Sequence, residues 1–495
     1  MTMSALPVAV HGAAEVRAMD RHAIETLGVP GYTLMCRAGE AALDLLLQAW
    51  PSAQRVLVAC GAGNNGGDGY VLARLAQAAG LEVTVAALAE PAGLTGDAAR
   101  ACADYRAAGG VPQRFTPGLA AASDVIVDAL LGTGIDRAVG GELRTCIESL
   151  NASGRPVLAL DLPSGLHADD GRVLGCAVRA TRTLTFVGLK TGLFLGAAPV
   201  QVGRLSFAGL GIDGVTNPPP PRLLRIDDGL LARVLPRRAR DAHKGQHGRI
   251  LVVGGGPGMP GAARLAAEAS LRSGAGLVTV ATRPEHTTAI VAGRPEIICR
   301  GIEAADELEP LLAGADVVAV GPGLGQSDWA RALFAAALAA ECPLIVDADA
   351  LNLLASMPRR RDRWVLTPHP GEAARLLGVS PAAIQADRLA AARELASRFG
   401  GVVVLKGANS LVVRDGAIPW VCDRGNAGMA TAGMGDVLTG AIAALVAQCG
   451  ELELGTAAAV LAHATAGDRA AAQGGERGLL ASDLLAELRA CLNPA

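Results

Sequence analysis

The chain alternates short apolar runs with longer stretches in which Ala and Leu recur at helical spacing among polar residues. From about residue 55 to 210 the apolar runs are "RVLVACGAG", "LEVTVAAL", "DVIVDALLGTG", "PVLALDLPSG" and "RTLTFVGLK". Each is brief and rich in Val and Leu, and most close on Gly, Asp or Ser. The pattern predicts a strand buried on both faces, then a loop and a helix. Residues 13–50 come before as helical material, broken at "GVPGY". Further on the alternation restarts with "GRILVVGGGPGMPGAA", "GLVTVATRP", "DVVAVGPGLGQ", "PLIVDADALNLL", "RWVLTPHPGEAARLL" and "VVVLKGANSLVV", and a long Ala-rich helical region closes the chain.

Between the two series stands "GVTNPPPPRLLRIDD", whose four consecutive prolines suit neither a helix nor a central strand. Residues 218–225 are therefore predicted to link a domain at 1–217 to a second at 226–495. A length of 495 residues exceeds what one hydrophobic core usually supports, so two cores are expected. Repeated strand-then-helix units predict the α/β class in both halves, the first as a Rossmann-like three-layer α/β/α sandwich. No sequence repeat relates the halves.

Composition narrows the partners. Hydrophobic residues make up 51% but aromatics only 3%, which suits parallel sheets under Ala-rich helices rather than aromatic stacking surfaces. A formal charge of −3 and the lack of a long Lys/Arg run give no electrostatic footprint for nucleic acid or an anionic membrane. The first residues carry no basic leader, and no apolar stretch reaches the roughly 18 to 20 residues of a membrane span, so a cytoplasmic location is expected. The ten cysteines form no C-x-x-C pair and read as small buried hydrophobes. Cys60 ends a strand beside a loop, but no His nearby in sequence would activate it as a nucleophile.

The unusual residues follow the strands, where open α/β sheets bind ligands. In "GAGNNGGDGY", Gly61, Gly63 and Gly66 have the spacing of the dinucleotide fingerprint. A redox dinucleotide loop also needs an acid after the second strand, and Glu90 is only a loose match. Asn64, Asn65 and Asp68 add polar groups where such a loop keeps small neutral residues, and Asp68 would repel a phosphate unless a cation lay between. Asp128 and Asp161 each end a strand at the same expected face. With Asn65 and Ser164 they offer hard oxygen ligands for a cation, leaving one carboxylate for proton transfer. The plainer alternative is a Gly-rich turn whose polar residues only cap the next helix.

"GNNGGDGYVLAR", "DALLGTG" and "LDLPSGL", in this order, resemble the N-terminal domain of the NAD(P)H-hydrate epimerases over nearly all of residues 13–213. The resemblance implies that Asn64, Asn65, Gly66, Gly67 and Asp68 bind the hydrated dinucleotide. It further implies that Gly132, Thr133, Gly134, Ile135, Asp136, Arg137, Ala138 and Asp161 touch the substrate, and that Asn65, Asp128 and Ser164 hold a potassium ion. One departure is "LMCRAG", which has Cys36 where that family usually has Glu.

In the second half, "AGMATAGMGDVLTGAIAAL" opens a helix with Gly435 and Asp436. Backbone N–H groups and the positive helix end there suit a transferring phosphoryl group, and Asp436 is placed to take a proton from a neighbouring hydroxyl. The loop resembles the anion hole and base of the ribokinase-like kinases. No G-x-x-x-x-G-K-[ST] occurs, so a P-loop enzyme is not expected. Lys406 in "VLKGANS" supplies a cation for nucleotide phosphates. His369 in "LTPHPGEA" lies between two prolines in a rigid turn near Glu372, placed for a substrate or phosphate contact, although a lone His is more often structural.

"RSGAGLV", "AVGPGLG", "VDADALN", "TPHPGE", "LKGANS" and "NAGMATAGMGDVLTG" resemble the ADP-dependent NAD(P)H-hydrate dehydratases, a ribokinase-like family, over about residues 226–495. The resemblance implies that Ala262, Gly323, His369 and Asp436 contact the hydrate, and that Lys406, Gly407, Ala408, Asn409, Ser410 and Gly435 contact the nucleotide. Met434 stands where that family has a small residue. Taken together, the resemblances imply a bifunctional repair enzyme with Asp161 and Asp436 as catalytic groups, potassium in the first domain, magnesium in the second and ADP as co-substrate. Small-molecule substrates and a homo-oligomer are expected. Two rivals are a dehydrogenase fused to a sugar or vitamin kinase, and a non-catalytic first domain that only binds a ligand or partner.

Overall fold

The computed structural model describes residues 5–212 and 218–493. The chain divides into two compact units, residues 1–223 and 224–495. Residues 213–217, the end of the first predicted domain, lie outside the described residues. Within the predicted linker 218–225, Leu223–Arg225 forms a strand. There Leu224 and Arg225 pair in parallel with Trp420 and Val421.

The first unit contains β1 (Ala9–His11), β2 (Arg55–Cys60), β3 (Glu82–Ala87), β4 (Gln113–Arg114), β5 (Val125–Ala129), β6 (Val157–Leu160), β7 (Arg182–Phe186), β8 (Leu189–Lys190) and β9 (Arg204–Ala208). Seven of these make one parallel sheet in the order β4-β3-β2-β5-β6-β7-β9. β1 and β8 pair separately in parallel. Side chains alternate between two cores. Val56 and Val58 pack with the helices Gly31–Ala49 and Asn64–Ala78, while Leu57 and Ala59 pack with Cys146, Ile147 and Leu150 of the helix Gly141–Ala152. That period of two, buried on both faces, makes the three-layer α/β/α sandwich. The chain order reverses between β2 and β5, so the loops after these strands diverge and leave a crevice.

The second unit contains β10 (Leu223–Arg225), β11 (Arg249–Val253), β12 (Leu277–Thr282), β13 (Ile298–Gly301), β14 (Val317–Val320), β15 (Leu344–Val346), β16 (Trp364–Leu366), β17 (Val402–Leu405), β18 (Ser410–Arg414) and β19 (Trp420–Cys422). Their order is β13-β12-β11-β14-β15-β16-β17-β18-β19-β10, with reversal between β11 and β14. The ladder is parallel from β13 to β17, and β18 then runs antiparallel to both its neighbours. One face packs against the helices Pro260–Arg272, Met434–Cys449 and Leu452–Gly474, whose Ala-rich sides permit close approach. Among the described residues no helix is long and apolar enough to cross a membrane.

Candidate active sites

At the first reversal point lies a cavity of about 970 Å³, walled by the loop after β2, the loop after β5 and the helix Ala13–Glu25. Close backbone approach builds the first of these loops. A Cβ on Gly61 would stand 1.9 Å from the Leu130 carbonyl oxygen, and one on Gly66 would stand 2.1 Å from that of Gly61. Gly63, the middle glycine of the fingerprint, faces open space. Asn64, Asn65 and Asp68 line the cavity, as do Gly132 to Ala138 and Asp161. Gly66 and Gly67 are not in its wall; they are buried and close the packing beneath. Arg17 pins the β5 loop by donating to the Thr133 carbonyl at 3.1 Å.

Asp161 follows β6 with φ +67, a left-handed conformation unusual for Asp. Its Oδ1 accepts from Lys190 Nζ and weakly from the Thr185 hydroxyl at 3.3 Å. Lys190 is buried in β8 and also donates to Thr185 Oγ1 at 3.0 Å and the Phe186 carbonyl at 2.8 Å. Asp20, from the helix Ala13–Glu25, joins this group. Burial pushes its carboxyl up to about 6, with Asp161 adding to the effect and Lys190 opposing it. Asp68 is likewise raised by burial and then by Asp161 and Asp20. Asp20, Asp68, Asp161 and Lys190 thus share the cavity wall.

Asp128 and Ser164 lie behind the wall, fully buried. Ser164 donates Oγ–H to Asp128 Oδ1 at 2.5 Å and N–H to Oδ2 at 2.8 Å, and its Oγ accepts from Leu131 N at 2.8 Å. Burial raises the Asp128 carboxyl to about 6 against these hydrogen bonds. Asn65 Nδ2 donates to the Leu131 carbonyl at 3.0 Å, while its buried Oδ1 has no partner. Cys36 stands outside the cavity wall beside Tyr32 and Arg74. Cys60 is buried with its thiol raised by burial, unlike an activated nucleophile. Glu90 is exposed and away from the cavity.

In the second unit the strand-end loops converge in the same way. A Cβ on Gly323 would lie 3.1 Å from that of Ala262, which places the loop after β14 against the helix Pro260–Arg272 at the reversal point. The helix Met434–Cys449 starts at Gly433 (φ +88) with no side-chain cap, so its first N–H groups remain available to an anion. Asp436 lies in its first turn, and Gly435 stands beside the Lys406 ammonium. Burial, then the charge of Asp347, pushes the Asp436 carboxyl up to about 7 against the pull of Lys406. Met434 packs its side chain into the core, while His463 Nε2 meets its carbonyl at 3.0 Å.

Lys406 Nζ donates to Asp347 Oδ1 at 2.8 Å and lies 3.8 Å from Glu372 Oε2. Burial works against its charge, yet Asp347 and Glu372 outweigh burial and raise its pKa. His369 does what the plainer reading of a lone His allows. It caps the helix Pro370–Leu377, accepting at Nδ1 from Gly371 N at 2.9 Å, while Glu372 Oε2 accepts from His369 N at 2.8 Å. Its ring remains half exposed. Gly407 and Ala408 are exposed in the turn between β17 and β18, and Asn409 has φ +55. Sequence reasoning did not single out Asp20, Lys190 or Asp347; the available signals were a lysine closing the apolar run in "TFVGLK" and an aspartate directly after the apolar run in "PLIVDADALN".

Two doubly wound α/β units, one with a carboxylate–lysine cavity at its reversal point and one with a Gly-Asp helix start beside a lysine, define an enzyme with a dinucleotide-type site and a kinase-type site. Residues 31–192 match the family described as YjeF-related protein N-terminus, and residues 250–490 match NAD(P)H-hydrate dehydratase. The chain belongs to the bifunctional NAD(P)H-hydrate repair enzymes. It is 49% identical to the bifunctional NAD(P)H-hydrate repair enzyme Nnr of Coxiella burnetii, over 97% of this chain and 98% of the relative. Against Nnr of Escherichia coli the identity is 44%, over 99% and 95%. Among solved structures, a ribokinase-like superfamily protein from Enterococcus faecalis matches 56% of this chain and 98% of its own, with 29% identity and a TM-score of 0.52.

Proposed function

We propose that the two units act in sequence on hydrated NADH and NADPH, the first exchanging the R and S epimers and the second dehydrating the S form with ADP. The observation that supports this best is the presence in one chain of two acid–base centres, Asp161 with Lys190 and Asp436 with Lys406. In the first unit Asp161 serves as acid and base at the hydrate's hydroxyl-bearing carbon. Asp161 takes the hydroxyl proton as the adjacent C–N bond opens to an aldehyde, the ring nitrogen keeps the bonding pair and receives a proton, and reclosure on the opposite face reverses both transfers to return the other epimer. Lys190 holds Asp161 oriented by donating to its Oδ1. Asn64, Asn65, Asp68 and the loop Gly132 to Ala138 receive the dinucleotide, with Gly66 and Gly67 packed beneath them.

Potassium fits beside Asn65, Asp128 and Ser164. The unpartnered Asn65 Oδ1 and the oxygen-only donor set suit a hard monovalent cation. Bound there, it would steady the loop and offset the substrate's phosphates.

In the second unit, Asp436 takes the hydrate's hydroxyl proton and the oxygen attacks the terminal phosphorus of ADP. AMP leaves with the bridging oxygen. The N–H groups at the helix start and Lys406 stabilise the charge on the transferred group. The phosphate ester then departs as inorganic phosphate, with the ring nitrogen's lone pair pushing out the C–O bond, and loss of a ring proton restores the double bond. Ala262, Gly323 and His369 contact the hydrate, while Lys406 to Ser410 and Gly435 contact the nucleotide. Among the described residues no group of three His, Cys, Asp or Glu would hold a metal, so magnesium would be held mainly through the nucleotide's own phosphates and neutralise them.

The test is to supply mixed hydrates with ADP or with ATP and follow the absorbance of the reduced nicotinamide. Complete recovery with ADP is expected, and no recovery with either nucleotide overturns the reading. Light scattering of the purified chain tests the expected homo-oligomer.

A further inference from the structure

We propose that Arg388 is a positioning residue for nucleotide binding, gathering the carbonyls of Leu405, Lys406 and Ala408 on its guanidinium and so setting the shape of the loop that receives the nucleotide. The inference rests on the assignment of Lys406 to Ser410 to the nucleotide.

Arg388 opens the helix Arg388–Phe399, and Asp387 caps it by accepting from Ala390 N at 2.9 Å. A cation in the first turn opposes the helix dipole, so the helix itself gives no reason for Arg there. The reason lies across the turn. Nη2 donates to the Leu405 carbonyl at 3.1 Å and to the Lys406 carbonyl at 3.3 Å, and Nη1 donates to the Ala408 carbonyl.

These bonds hold a backbone that the chain would not choose alone. Gly407 has φ +146 and Asn409 has φ +55. A Cβ on Gly407 would stand 2.8 Å from Arg388 Nη2, so the glycine serves both the conformation and the close approach of the guanidinium. The Lys406 carbonyl is fixed from one side while its side chain reaches Asp347, which aligns the ammonium with the helix start at Gly435. A planar fork bonding several carbonyls at once is a geometry that a lysine ammonium cannot reproduce.

The experiment measures kcat and both KM values on the full chain for Arg388→Lys and Arg388→Ala, with the unfolding midpoint of each. Both variants are expected to raise the KM for ADP roughly tenfold or more, with the KM for the S hydrate held within about twofold. Millimolar guanidinium is expected to restore ADP binding in Arg388→Ala, and methylammonium is not. An unchanged KM for ADP, or a parallel rise in both KM values with a lowered midpoint, overturns the proposal. Asn409→Ala and Ser410→Ala serve as the reference arm. If they raise the KM for ADP while the Arg388 variants do not, the positioning role alone fails. If neither they nor the Arg388 variants move it, the nucleotide-loop assignment fails as well.

Discussion

Lys406 Nζ lies 2.8 Å from Asp347 Oδ1, and the same buried carboxylate accepts the hydroxyls of Thr367 at 2.7 Å and Thr439 at 2.8 Å. Burial favours the protonated acid, but Lys406 and the two hydroxyls outweigh it and hold Asp347 below the usual carboxylate range. Asp347 is therefore a fixed negative charge beside Asp436.

Its consequence is a pH dependence. A base held at about 7 loses activity as protons fill it, so kcat/KM for the S hydrate should fall about tenfold per unit below pH 7. Asp347→Asn removes a like charge and leaves Lys406 less neutralised, and both changes favour ionised Asp436. The acid limb should move to lower pH in this variant. A limb that stays in place refutes the coupling.

Lys190 is the residue to remove in the first unit. Lys190→Met should leave Asp161 without its partner and slow R-hydrate conversion by about 10²- to 10⁴-fold. Dehydration of the S hydrate should stay at the parent rate. Nicotinamide recovery from a mixed sample should then stop near its S fraction, and rapid recovery of the whole sample would remove Lys190 and Asp161 from the reaction.

The fingerprint glycines make separable predictions. Gly66→Ala forces a Cβ to within 2.1 Å of a backbone carbonyl and should cost about 1 to 3 kcal/mol in chemical denaturation. Gly63→Ala meets open space at φ −93 and should change stability by no more than about 0.5 kcal/mol. Equal losses would mean the loop is not shaped by this approach.

The central strands were legible because each is an apolar run buried on both faces, and the loops after them carried the recognisable residues. Edge strands were harder to see. Gln113–Arg114 and Ile298–Gly301 are short and partly polar, since an edge needs no continuous apolar run. The turn between β17 and β18 was hidden inside "VVVLKGANSLVV", because the reversal depends on left-handed Asn409 and on Arg388 far back in the sequence. Asp20 carries no local motif, Lys190 only closes an apolar run, and Asp347 lies in "VDADALN" with nothing there to mark its role. Their importance comes from burial and from charges brought together by folding, which spacing along the chain does not encode. His369 is conspicuous in the sequence, and the structure uses its Nδ1 in capping while leaving its ring half exposed.

Potassium gives the last prediction. Asn65 Oδ1 is buried without a partner, an acceptor that a cation beside the buried Asp128 and Ser164 would satisfy. A ligand that binds only the folded state raises stability by RT ln(1 + [L]/Kd). The unfolding midpoint of the first unit should therefore climb with KCl at constant ionic strength against choline chloride, and R-hydrate conversion should climb with it. Asn65→Ala and Asp128→Asn each remove a donor or its charge, so both responses should flatten in those variants. If KCl and choline chloride give the same midpoint in the parent chain, these oxygens hold no potassium, and the loop must meet the substrate's phosphates without one.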